Sequence, residues 1–376
     1  MEPPRILDPD QISQQQRVFH ELVQVLRQRE AILLVGSGCS MPMYPSWSQL
    51  IDDLAALASD CIPGGYILPS HIEGELEQLQ HIRDACESHQ DEHKCLDKIH
   101  QKLIRLFHEP KGGPSRIHDI LVELPFRGYL TTNYDRLMER ALGNPDGYGA
   151  IDVQTAEPLF LSQAVRSIVS PGDPKKVIHL HGTGEHPRRM VLTTSDYRRA
   201  YGLGHPDGQK AHHGTRPPQA RRLLSALLMT RQVVFVGFGL NDPFLMRILK
   251  DVTAAGWEWD SPIHFAIMPL DEGNAAEQLE AAVLYRKEYG VALLFYEVVG
   301  NDHSRLNDKL EELAGALRGA RPPLGGVIPE GGSDPEGSGR EADEDGSTQP
   351  AAQLYKMTRT SIQENLRWVE APDNEA

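Results

Sequence analysis

Residues 11–29, QISQQQRVFHELVQVLRQR, set Val18, Phe19, Leu22, Val23 and Leu26 on one face at helical spacing, which predicts an amphipathic helix. The pattern then changes. AILLVGSGCS (31–40) reads as a buried strand ending in a loop of small residues, and SWSQLIDDLAALA (46–58) as a helix with Ser46 as its N-cap. Residues 61–111 are polar and helix-prone, as a helical insertion would be. IHDILVELP (117–125) predicts a short helix stopped by Pro125, and GYLTTN (128–133) a second strand. A loop-rich stretch, 143–175, precedes a third strand, KVIHLHG (176–182), and MVLTTSDYRRAY (190–201) turns into a helix. After a Gly-, His- and Pro-rich loop at 202–219 come a helix (221–231), a strand QVVFVGFG (232–239) and a helix (241–256) with Pro243 in its first turn. The strands 262–269 and 291–298, separated by the helix 275–289, complete the set.

Strands alternating with helices over about 300 residues imply an α/β fold with a Rossmann-like, doubly wound parallel sheet. The expected organisation is a helical segment over 1–30, one α/β unit over 31–316 with its insertion at about 61–111, and a linker over 317–351. That linker is rich in Pro, Gly, Ser and acids, the composition of a disordered segment. The last stretch, 352–376, places Leu354, Ile362, Leu366 and Val369 on roughly one face, as either a docking helix or a frayed tail.

Composition narrows the function classes. Net charge is −15, which argues against a broad surface for duplex nucleic acid and against sequence-specific binding to it. Much of the charge is local: Glu330, Asp334, Glu336, Glu341, Asp343, Glu344 and Asp345 stand against Arg340. Cys39, Cys61, Cys86 and Cys95 form no CxxC pair, so neither a zinc ribbon nor a disulfide framework is expected. No signal-peptide core and no membrane-spanning run is evident, so a reduced, cytoplasmic protein with no membrane contact is expected.

The candidate chemistry lies at strand ends. Gly36 and Gly38 would let backbone N–H groups approach a pyrophosphate, although Met41 stands where a third glycine of the dinucleotide fingerprint belongs. A tight turn without a ligand explains the same glycines. Asn133 and Asp135 follow a strand directly, where they could cap the next helix or enter a ligand site at the sheet's carboxyl edge. His179 and His181 share a face of their strand, and His181 sits at its end before Gly182. Metal binding by these two with Asp135 lacks a third His or Cys at metal spacing. FVGFGLNDP repeats the first glycine motif, with Gly237 and Gly239 before Asn241 and Asp242.

In this order, Gly36-Ser37-Gly38, Thr131-Thr132-Asn133-Tyr134-Asp135, His181-Gly182 and Gly237-Phe238-Gly239 resemble the sirtuin-like family of NAD-consuming proteins. PSWSQL (45–50) and VLTTSDY (191–197) resemble its bacterial antiphage-defence branch. The resemblance covers roughly residues 15–310 and implies NAD+ as substrate. It implies that Asn133 positions water and a ribose hydroxyl, that His181 is a base, and that Asp135 lines the nicotinamide side or orients Asn133. Gly36, Ser37, Gly38, Ser40 and Thr132 would serve the cofactor's phosphates and pocket, and Gly237, Gly239, Asn241 and Asp242 its adenosine end, with Asp242 open to a capping role instead.

Sirtuin deacetylases carry two CxxC pairs after the HG motif, and no cysteine follows Cys95. No zinc is therefore expected, and hydrolysis of the nicotinamide–ribose bond is favoured over a protein deacylase or ADP-ribosyltransferase. The expected role is an antiphage abortive-infection effector that depletes NAD. A catalytically silent NAD- or ADP-ribose-binding scaffold is the alternative. Such an effector implies restraint by homo-oligomerisation and a partner sensor, first a HerA-like ATPase translocase and second a short Argonaute.

Overall fold

The computed structural model describes residues 7–88, 92–108, 112–144, 150–169, 175–202, 217–255, 264–298 and 302–319. The expected linker and terminal segment beyond Gly319, and most of the 202–219 loop, lie outside them. The strands are β1 (Ile32–Val35), β2 (Gly128–Thr131), β3 (Ala150–Asp152), β4 (Val177–His179), β5 (Val233–Val236), β6 (His264–Asp271) and β7 (Val291–Val298). They form one sheet in the order β3-β4-β2-β1-β5-β6-β7, with every pairing parallel.

The helices are α1 (Pro9–Arg27), α2 (Trp47–Cys61), α3 (Glu75–Glu87), α4 (Glu92–Leu103), α5 (Arg116–Glu123) and α6 (Leu137–Ala141). They continue with α7 (Pro158–Val169), α8 (Thr194–Tyr201), α9 (Gln219–Thr230), α10 (Pro243–Ala255), α11 (Ala275–Tyr289) and α12 (Arg305–Arg318). Capping boxes start several of them: Asp8 with Gln11 opens α1, Ser46 with Gln49 opens α2, and Thr193 with Asp196 opens α8.

Period-two alternation sorts the strands between two cores. Ile32, Leu34, Leu130, Ile178 and Phe235 pack against α8, α9 and α10, whereas Leu33, Val35, Tyr129, Val234 and Val236 pack against α1, α5 and α12. Burial on both faces is why these strands read as continuous apolar runs. A third core holds α2, α3 and α4 against Tyr134, Leu137, Met190 and Leu192, so the insertion rests on the segments that follow β2 and β4.

Two expectations are corrected. The stretch 143–175 contains β3 and α7, not loop alone. A three-residue edge strand carries too little alternation to register, and α7 starts at Pro158 without a capping box to announce it. Cys86 and Cys95 are joined by a disulfide, with Cα atoms 5.6 Å apart, although no bridge was expected. Packing of α3 against α4 brings them together, and cysteine spacing in sequence does not report that. Cys39 and Cys61 are free thiols.

Candidate active site

Chain order reverses direction in the sheet between β1 and β5, where a doubly wound fold opens a crevice at its carboxyl edge. The carboxyl ends of four neighbouring strands, β4, β2, β1 and β5, present His181, Asn133, the Gly36–Ser40 turn and the Gly237–Asp242 turn. Residues from distant parts of the sequence thereby meet along one edge.

The two glycine turns lie against each other. Gly38 N–H donates to Gly237 O at 2.9 Å, and a Cβ on Gly36 would stand 2.4 Å from that same oxygen. Gly237 has φ +65°, and a Cβ there would meet the Cys39 backbone nitrogen at 2.6 Å. Much of the requirement for glycine therefore comes from loop-to-loop packing. Ser37 and Gly38 remain exposed on the outer side of the turn, as do Gly239 and Asn241 on the second.

Asn133 is held by its amide nitrogen. Nδ2 donates to Gly36 O at 3.1 Å and to Ser40 Oγ at 3.0 Å, while the Asn133 backbone N–H donates to Thr131 Oγ1 at 3.0 Å. Its Oδ1 is buried and has no hydrogen-bond partner. An orphaned buried acceptor costs about 1–3 kcal/mol, so a donor that reaches it recovers that energy on binding. The Ser40 hydroxyl also donates to Asp135 Oδ2 at 2.8 Å, so it is committed to a relay from Asp135 to Asn133. Asp135 Oδ1 accepts from Leu137 N–H at 3.0 Å, which caps α6. Burial pushes the Asp135 pKa up, and the bonds from Leu137 and Ser40 work against it. Capping and orienting are thus done by separate oxygens of one carboxylate. Thr132 is half-buried beside them, with its N–H on Val35 O at 3.3 Å.

His181 is 2 % exposed, with Nε2 2.9 Å from the Tyr201 hydroxyl and 3.7 Å from Asp242 Oδ2. Burial lowers its pKa and the Asp242 charge opposes that. Asp242 Oδ1 caps α10 by accepting from Phe244 and Leu245 N–H at 3.0 and 2.9 Å. Its Oδ2 accepts from the Tyr197 hydroxyl at 3.0 Å. The capping role open to Asp242 is thus filled by one oxygen, and the other faces Tyr197 and His181. Burial, reinforced by Asp242, raises the pKa of Tyr197 and Tyr201 well above the usual phenol value, so both hydroxyls keep their protons.

His179 belongs to a different network. One ring nitrogen is 2.9 Å from Asn133 O and the other 2.6 Å from Glu139 Oε1, so both are occupied. Burial pushes its pKa down, yet Glu139, the Asn133 carbonyl and Asp135 outweigh that and raise it. Among the described residues, no group of three or more His, Cys, Asp or Glu is set to hold a metal ion.

Tyr197, Tyr201 and Glu139 escaped the sequence reading, although Tyr197 and Tyr201 stand four apart on one helix face, the only signal available. The insertion fixes that helix. Arg83 of α3 bonds Asp196 Oδ1 at 3.1 Å and Ser195 Oγ at 2.6 Å, and also reaches Thr193.

Residues 127–294, which include Asn133, His181 and the second glycine turn, match the SIR2-like domain family. The chain is also similar to curated proteins: "NAD(+) hydrolase ThsA" of Bacillus cereus (strain MSX-D12) is 29% identical over 69% of this chain and 47% of its own length. Proteins of the same name from Acinetobacter baumannii (strain 532279) and Enterococcus faecium are 25% and 26% identical, over 64% and 65% of this chain and 42% and 44% of their own. The chain thus spans about half the length of the curated relatives it matches. The first glycine turn precedes the matched stretch and is bonded to it, Gly38 N–H to Gly237 O and Asn133 Nδ2 to Gly36 O. No helix among the described residues is long and apolar enough to cross a membrane.

Proposed function

We propose that this chain is an NAD+ glycohydrolase, cleaving the nicotinamide–ribose bond with Asn133 and His181 as its working residues. The observation that carries the reading is the buried, unpartnered Oδ1 of Asn133 at the switch point of the sheet. A ribose hydroxyl or an incoming water is the donor it lacks. The curated relatives, named NAD(+) hydrolases, support the same reaction class.

The chemistry suits a site of this composition. Departure of nicotinamide leaves an oxocarbenium-like ribose, as in glycoside hydrolysis. The leaving group is already cationic, so no strong acid is needed at that bond. What is needed is a group that orders water and hydroxyl, and a base that is neutral at working pH. Asn133, fixed through Ser40 and Asp135, supplies the first, and His181, whose pKa is lowered by burial, supplies the second. Asp135 acts through Ser40, while Ser37, Gly38 and Thr132 line the phosphate side, and Gly237, Gly239 and Asn241 the adenosine side. In the cell the reaction would deplete cytoplasmic NAD+ as an antiphage response. Control would come from homo-oligomerisation and a partner sensor, of which a HerA-like ATPase is the first choice and a short Argonaute the second.

Product analysis tests the reaction class. Incubation with NAD+ should yield nicotinamide and ADP-ribose in equal amounts, with or without an acyl-lysine peptide. NAD+ bound but unconsumed, with the partner ATPase and without it, would favour a silent scaffold. Product that appears only with peptide would favour a deacylase or transferase.

A further inference from the structure

The titratable groups that face the His181 ring are Tyr197 and Tyr201 from α8 and Asp242 from the turn before α10. Tyr197 stacks on Phe244 at 4.7 Å and meets His181 edge-on at 5.0 Å, so the ring is walled by aromatic side chains. The Asp242 carboxylate cannot rotate freely. Two backbone N–H groups of α10 hold one oxygen, and the Tyr197 hydroxyl holds the other while that oxygen faces the imidazole. A helix cap needs only the first set. The second oxygen is aligned on a buried histidine by a tyrosine from another helix, which capping does not explain.

We propose that Tyr201 and Asp242 are positioning residues for His181. Tyr201 accepts from Nε2–H and fixes the ring, and Asp242 balances the charge the ring acquires when Nδ1 takes a proton. The inference rests on the NAD+ hydrolysis reading and assigns its proton inventory. Water loses a proton to His181 Nδ1, its oxygen lone pair forms the bond to the ribose carbon, and the electron pair of the breaking C–N bond leaves with nicotinamide. The imidazolium then donates through Nε2 to Tyr201 and faces a carboxylate 3.7 Å away.

The test uses Asp242→Asn, which keeps a carbonyl oxygen for the α10 cap and removes the charge, and Tyr201→Phe, which removes only the hydroxyl. A base works deprotonated, so nicotinamide release rises with pH through the His181 pKa. Loss of the Asp242 charge lowers that pKa, so the acid limb should move down by at least about one pH unit, the fully water-screened lower bound for a charge pair at this separation. The plateau rate should fall about ten- to a hundredfold, part of what a general base contributes. Tyr201→Phe should lower the plateau about tenfold with the limb unmoved. A limb and plateau unchanged in Asp242→Asn would overturn the proposal, since a cap alone cannot move a pH profile. A second readout needs no activity: the NMR titration midpoint of ring-labelled His181 should fall by at least about one unit in Asp242→Asn, and an unchanged midpoint refutes the coupling. Absence of turnover by the wild-type protein would sink the NAD+ hydrolysis reading and leave this second measurement decisive for the positioning role.

Discussion

Tyr134 stands between Asn133 and Asp135 and joins the site to the insertion. Its ring lies 5.2 Å from Phe107 and 6.4 Å from Trp47, and its hydroxyl donates to the Val191 carbonyl at 2.7 Å. Val191 N–H in turn donates to the His181 carbonyl at 2.8 Å, so Tyr134 braces the segment that runs beside His181. Tyr134→Phe keeps the ring and deletes that one bond. The side chain is 6 % exposed, so water cannot readily replace the donor and the carbonyl is left with its desolvation unrepaid. Such a loss costs about 1–3 kcal/mol, and the middle of the range, about 2 kcal/mol, is expected here. With a urea slope of about 2 kcal/mol/M, the unfolding midpoint should fall by roughly 1 M. Fluorescence of the nearby Trp47 in a urea titration reads this directly. On the proposed reaction a second effect should follow, a several-fold fall in kcat for nicotinamide release, because the brace beside His181 loosens. A midpoint within about 0.2 M of wild type, corresponding to less than about 0.5 kcal/mol, would refute the brace.

Gly237→Ala should destabilise by at least about 3 kcal/mol, since a left-handed backbone costs an L-residue about 1–2 kcal/mol and the Cβ would also press on the Cys39 backbone. Urea unfolding checks this, and a cost below about 1 kcal/mol would show that the two glycine turns do not depend on close contact. The His179–Glu139 pair predicts a pH signature. His179 has its pKa raised in the native state, so its contribution is full below the unfolded value of about 6.5 and is lost as pH rises through the native one. The stability gap between wild type and Glu139→Gln should therefore be widest near pH 6 and shrink toward pH 9. A gap constant across that range would contradict the coupling.

The sheet was legible because its central strands, such as Ile32–Val35 and Val233–Val236, are buried on both faces and read as unbroken apolar runs. The candidate site was legible in part: local pattern puts Asn133, His181 and the glycine turns at strand ends, where this fold binds ligands, and the family resemblance supplies their expected roles. What stayed hidden depends on tertiary contact. The Ser40 hydroxyl is committed to Asp135 and Asn133, and nothing local to GSGCS announces a partner 93 positions away. Tyr197 and Tyr201 belong to a helix whose own sequence reads as an ordinary amphipathic turn, and their meaning appears only when α8 packs over His181. Likewise, Gly36 reads as part of a phosphate-side turn and Gly237 of an adenosine-side turn, yet most of the space they save is used where the two turns pack together.

Asn133, through its free Oδ1, and His181, as base, are the residues proposed to carry the cleavage of NAD+. The measurement that tests this most directly is the rate of nicotinamide release from NAD+ by wild type, Asn133→Ala and His181→Ala, each confirmed folded by its urea midpoint and assayed with and without an added HerA-like ATPase. The account predicts release by wild type and a loss of at least about a hundredfold in each variant, the scale of a positioned catalytic group. Equal rates in all three folded proteins would contradict it.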